Sequence, residues 1–188
     1  MTPIEILAEL ELLGIKITRR TLLNYEKWGL LPEPVRGGLG RGKGNFTHYP
    51  EEAVWQAYAA WRMLNDKLNP YRVPAVLKGR TLNLEKNDNI SLSSQDKHLQ
   101  TEWFRYALWG KIGIPVNAIE IIIDVKTKPD EIEDSSFQEL IEIHLKDLTD
   151  QYLESEDLYF IFHDEENESA WIYKWERTSH SVTKLMPQ

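Results

Sequence analysis

Thr18-Arg19-Arg20-Thr21-Leu22-Leu23-Asn24-Tyr25-Glu26-Lys27-Trp28-Gly29-Leu30-Leu31-Pro32 decides the reading of this chain. Thr18 suits an N-cap, because its hydroxyl can accept an amide that the first helical turn leaves without a partner. Leu22, Leu23 and Tyr25 supply an apolar side, while Arg19, Arg20 and Lys27 stay outward. Gly29 stands where a helix ends in the left-handed conformation, and Pro32 and Pro34 forbid its continuation. The next stretch, Arg36-Gly-Gly-Leu-Gly-Arg-Gly-Lys-Gly44, holds five glycines and three cations. Glycine allows close backbone approach to a surface, and cations suit phosphates. Phe46 and Tyr49 are expected to anchor a returning strand. The combination reads as a short helix for a DNA groove followed by a basic hairpin for the backbone beside it, a winged helix-turn-helix.

These residues resemble the recognition helix of the MerR-type regulators, which runs approximately S-x-R-T-L-R-Y-Y-E-x-x-G-L-L-x-P. Arg20, Thr21, Leu22, Tyr25, Glu26, Gly29, Leu30 and Leu31 match it, and Phe46-Thr47-His48-Tyr49-Pro50-Glu51-Glu52 resembles the end of the family's wing. The likeness covers about the first 70 residues. Asn24 and Thr47 depart from the family pattern, and the wing is longer and richer in glycine. The resemblance implies double-stranded DNA as partner and a homodimer on a near-palindromic site. Thr18, Arg19, Arg20, Asn24, Tyr25 and Lys27 of the helix, and Arg36, Arg41, Lys43, His48 and Tyr49 of the wing, are the expected DNA-binding residues.

A net charge of −8 over 188 residues looks wrong for a DNA binder until it is divided. Residues 1–80 hold 12 Lys+Arg and 8 Asp+Glu, giving +4, whereas residues 81–188 hold 10 and 22, giving −12. A basic head on an acidic body is the asymmetry expected when one end meets a polyanion. No apolar run approaches the length of a membrane span, the N-terminus lacks a signal segment, and the absence of cysteine suits a cytoplasmic protein.

The first helix is expected over 3–13, capped by Thr2 and started by Pro3, with Ile4, Leu7, Ala8, Leu10 and Leu12 inward. A third helix follows over 50–68, with Val54, Ala57, Tyr58, Trp61, Leu64 and Leu68 at helical spacing. Prolines at 70 and 74 and a polar run to Ser94 place a domain boundary between 70 and 94, dividing a DNA-binding domain (1–80) from an acidic α+β domain (81–188). Beyond it the periodicity predicts a helix over 94–111, a β-branched strand over 118–125, a helix over 135–153, strands over 158–163 and 170–177, and a short edge strand over 182–185. The fold class is therefore α+β, a winged head followed by a small antiparallel or mixed sheet with two helices.

No P-loop, dinucleotide fingerprint, nucleophile elbow or zinc-protease motif occurs, and the five histidines are scattered. No enzyme activity, metal or cofactor is expected. Trp171, Tyr173 and Trp175 share one strand face, which packing explains best, with a small apolar ligand or an interface as alternatives. A protein partner at the C-terminal domain is the other candidate. The expected function is sequence-specific DNA binding by a bacterial or mobile-element transcriptional regulator. An architectural accessory factor, excisionase-like or a phage packaging adaptor, is the alternative.

Overall fold

The structure, a computed structural model, describes residues 1–38, 45–68, 93–124, 141, 145, 158–164, 169–176, 179 and 181–185. It is α+β. In chain order the elements are α1 (Pro3–Leu12), α2 (Arg19–Lys27), β1 (Val35–Gly38), β2 (Asn45–His48), α3 (Ala53–Asn65), α4 (Ser94–Ile112), β3 (Ile119–Asp124), β4 (Leu158–Asp164), β5 (Ser169–Glu176) and β6 (Ser181–Leu185). The chain divides into two compact units, residues 1–116 and 117–188.

In the first unit α1 starts on a reciprocal cap: the Thr2 hydroxyl accepts the Glu5 amide, and the Glu5 carboxylate accepts the Thr2 amide at 2.7 Å. Its buried face is Pro3, Ile6 and Leu10. The expected inward set is thus corrected. Ile4 and Leu12 are 74% and 78% exposed, because Ile6 and Leu10, four residues apart, take the row that meets the other helices. Ile15 is buried in the turn that leads to α2.

α3 buries Ala53, Ala57, Tyr58, Ala59, Ala60 and Met63, a wider arc than the predicted stripe, and leaves Trp61 and Leu64 half-buried. Its neighbours are the reason: α1, α2 and α4 all pack against it. α4 carries the largest share of that packing. Leu99, Trp103, Tyr106, Trp109 and Gly110 face inward, each buried aromatic contributing about 1.5–3 kcal/mol. Phe104 and Leu108 lie outside that face and are 44% and 38% exposed.

The α3–α4 pair runs antiparallel, since Gly110 lies against Trp55 and Tyr58 while the Tyr106 hydroxyl donates to Asp66. Gly110 permits the close crossing: a Cβ there would sit 2.9 Å from Tyr58 Cβ and Cγ and 3.1 Å from Trp55 Cα. The Arg62 guanidinium lies over the Tyr106 and Trp109 rings at 4.9 and 5.2 Å. This packing moves the division of the chain. The boundary expected near residue 80 falls at 116–117, because α4, read as the start of the C-terminal domain, completes the core of the first unit. The Val116 amide, donating to the Leu13 carbonyl, ties the end of that unit back to α1.

The second unit contains a four-stranded mixed sheet in the order β3-β4-β5-β6. β3 and β4 are parallel, with Ile121 opposite Phe160; β4–β5 and β5–β6 are antiparallel, with Phe160 opposite Tyr173 and Trp175 opposite Val182. Parallel neighbours need a crossover, and Ile141 and Leu145, within the helix expected over 135–153, are helical and pack on the sheet. Leu158, Phe160, Phe162, Tyr173 and Trp175 form the core with Ile141. Among the described residues no helix is long and apolar enough to cross a membrane.

Candidate nucleic-acid interface

α2 is held at both ends by its own sequence. The Thr18 hydroxyl accepts the Thr21 amide at 3.1 Å. At the other end the Gly29 amide donates to Glu26 O at 2.8 Å and the Leu30 amide to Tyr25 O at 2.9 Å, with Gly29 at φ +72° and Leu30 buried. This pair of hydrogen bonds around a left-handed glycine is a Schellman closure, which satisfies two of the last carbonyls without extending the helix.

At roughly 100° per residue, Arg19, Arg20, Leu23, Asn24 and Lys27 fall within a single arc of about 140°, opposite the buried Leu22 and Tyr25. Arg19, Arg20, Leu23 and Lys27 are exposed and Asn24 is half-buried. Three cations, an amide and an apolar tip therefore share the solvent face of one short helix. Leu23, expected on the apolar side, is 38% exposed, which corrects that expectation. Leu22 lies about 60° around the helix from Tyr25 and Leu23 about 160° from it, so only Leu22 follows Tyr25 into the core.

Beside this helix β1 and β2 form an antiparallel hairpin, with Val35 opposite His48, Arg36 opposite Thr47 and Gly37 opposite Phe46. Glu26, in the last turn of α2, fastens it. One guanidinium nitrogen of Arg36 donates to both Glu26 carboxylate oxygens at 2.6 Å, and the Tyr49 hydroxyl donates to Oε2 at 2.5 Å. Burial works to raise the Glu26 pKa, but the hydrogen bonds from Arg36 and Tyr49 outweigh it and hold the carboxyl below its ordinary range. Tyr49 is pushed up to about 12 by its burial and by the adjacent carboxylate. The Tyr49 amide also donates to the Met1 carbonyl at 2.7 Å, and the terminal amine donates to the Tyr49 carbonyl at 2.5 Å.

The expected contact set accordingly separates. Arg19, Arg20, Asn24 and Lys27 are brought together on one face. Thr18 is exposed, but its hydroxyl serves as the cap. Tyr25 and Tyr49, each 2% exposed, pack in the core, where an aromatic ring buries a large apolar area. Burial pushes the Tyr25 hydroxyl up to about 12. Arg36 is exposed and engaged by Glu26. His48 is exposed on β2. Arg41 and Lys43 lie outside the described residues.

In the second unit Tyr173 and Trp175 belong to the sheet core, and packing accounts for them. Trp171 stands opposite Phe162 in the β4–β5 register. Sequence reasoning missed Glu26 as the fastener of the hairpin. The signal was present as an acid amid cations, four residues before a helix-ending Leu30.

No protein-family model, curated protein or solved structure matches this chain.

Proposed function

We propose that the first unit is a winged helix-turn-helix that binds double-stranded DNA sequence-specifically, as a transcriptional regulator of MerR-like type. The observation that carries this reading is the α2 face, with Arg19, Arg20, Asn24 and Lys27 exposed or half-exposed along one helix that follows a tight turn from α1 and lies beside a latched hairpin. In the major groove, arginine pairs with guanine O6 and N7, asparagine with adenine N6 and N7, and an apolar tip such as Leu23 with the thymine methyl. The hairpin lies against the neighbouring phosphates, with Arg41 and Lys43 as its cations. Glu26 sets the angle between the two by holding Arg36 and Tyr49. The protein acts as a homodimer, and the acidic second unit serves a protein partner.

The test is fluorescence anisotropy of the full chain on duplex DNA at stepped salt. With about four to six phosphates neutralised per protomer, log Kd changes against log salt with a slope of magnitude roughly 4 to 5. Arg19→Ala with Arg20→Ala lowers both affinity and slope. A slope near zero, or no binding to any duplex at low salt, overturns the reading.

A further inference from the structure

Two exposed helix faces of the first unit carry opposite rims. On α1, Ile4, Ala8 and Leu12 follow one another at i+4 spacing, with Ile4 and Leu12 the two most exposed large apolar side chains among the described residues, at 74% and 78%. A groove of about 400 Å³ opens beside Ile4 and Ala8, lined also by Leu7 and Ile15. The charged residues of α1 are Glu5, Glu9 and Glu11, all exposed, and the helix contains no cation. Lys16, beyond its end, meets Glu11 at 3.5 Å.

On α4 the exposed row is Lys97, Thr101, Phe104, Leu108 and Lys111, spaced four, three, four and three residues apart and so on one side of the helix. Phe104 and Leu108 form its apolar centre, a lysine stands at each end, and no carboxylate interrupts the row.

We propose that these faces meet between copies: α1 of one chain docks on α4 of a second copy. Charge complementarity chooses the occupant. An α1–α1 pairing would set Glu5 and Glu9 against their own equivalents, and an α4–α4 pairing would oppose Lys97 and Lys111; like charges facing one another are unfavourable. Pairing unlike faces joins the two apolar rows and places lysines against glutamates. The small Ala8 between Ile4 and Leu12 leaves a recess in the α1 row, and a phenyl or leucyl group from α4 is the knob that enters such a recess. A single helix pair buries less than a standard interface, so the association is weak and concentration-dependent. The inference does not depend on the DNA reading.

Sedimentation velocity of the full chain, from low-micromolar to near-millimolar concentration, tests it. The mass is expected to rise above the 22.0 kDa of one chain as concentration increases. Leu12→Asp and Phe104→Asp, both at exposed positions, each weaken self-association about tenfold or more while the far-ultraviolet circular dichroism stays unchanged. Mixing the two variants restores association as a one-to-one pair, because each retains the face the other lacks. Glu9→Lys weakens association and Lys97→Glu added to the same chain recovers it, a readout that does not rely on the apolar substitutions. A chain that stays monomeric at every concentration overturns the proposal. So does a mixture no more associated than its parts, or stronger self-association on Glu9→Gln, which would mean that α1 meets α1.

Discussion

Glu26→Ala removes the one acceptor that the Tyr49 hydroxyl has among the described residues. That hydroxyl belongs to a residue 2% exposed and donates to Glu26 at 2.5 Å. Leaving a buried donor unsatisfied costs about 1–3 kcal/mol. The Arg36 side of its contact is exposed, and screening leaves such a pair little net worth, so the expected loss is set by Tyr49 at about 2 kcal/mol. For a unit of this size that lowers Tm by about 8 °C. Glu26→Gln keeps an acceptor for Tyr49 and should cost less than Glu26→Ala at neutral pH, converging with the parent as the pH falls. Tyr49→Phe removes the donor, so Glu26→Ala added to it should cost much less than Glu26→Ala alone. Urea unfolding of the four chains of this cycle, followed by tryptophan fluorescence, measures the coupling. The pH dependence carries a second check. The folded pKa of Glu26 is depressed, so its contribution is complete above the ordinary glutamate value of about 4.3 and is lost as pH falls through the lower folded value. Glu26→Gln should therefore flatten the acid limb of the stability curve. Additive Glu26→Ala and Tyr49→Phe effects, or an acid limb identical in parent and Glu26→Gln, would refute the latch.

Two further outcomes follow from the packing of α4. Gly110→Val should lower stability by about 1–3 kcal/mol, since its Cβ alone would lie 2.9 Å from Tyr58; Gly110→Ala should cost less, because the helix-propensity gain of up to about 1 kcal/mol offsets part of the clash. Thermal unfolding of the full chain measures both, and no loss in either variant would contradict the close crossing. A fragment covering residues 1–116 should unfold cooperatively, whereas residues 1–80 should not, because Trp103, Tyr106 and Trp109 leave with α4 and their burial is worth roughly 5–9 kcal/mol. Circular dichroism melts of the two fragments decide this.

The local devices were the most legible part of the sequence. Thr2, Thr18 and Gly29 each specify a helix end through atoms a few residues apart, and all three act as read. β-branched and aromatic runs likewise located β3, β4 and β5, and Val182–Leu185 located β6. What the sequence concealed was long-range. The inward row of α1 could be Ile4–Ala8–Leu12 or Ile6–Leu10 on spacing alone, and only the placement of α3 chooses. The same holds for α4: its polar approach from 83 to 94 resembles a domain boundary, while Gly110 shows its purpose only against Tyr58 and Trp55. In the candidate site, the outward cations of α2 were readable from periodicity. The burial of Tyr25 on the apolar side and of Tyr49 at the strand end was readable too, although the family likeness counts both among the contacts, whereas the exposure of Leu23 depended on which neighbours it meets.

Selection of bound duplexes from a random DNA pool, run in parallel with the parent chain and with the Arg20→Ala and Asn24→Ala variants, tests most directly whether the α2 face reads sequence. If it does, the parent recovers a defined motif, and each variant loses preference at particular base pairs, at roughly 1–3 kcal/mol per contact, while retaining salt-sensitive binding to unrelated duplexes. Recovery of the same motif with undiminished preference by all three chains, or of no motif by the parent, would contradict it.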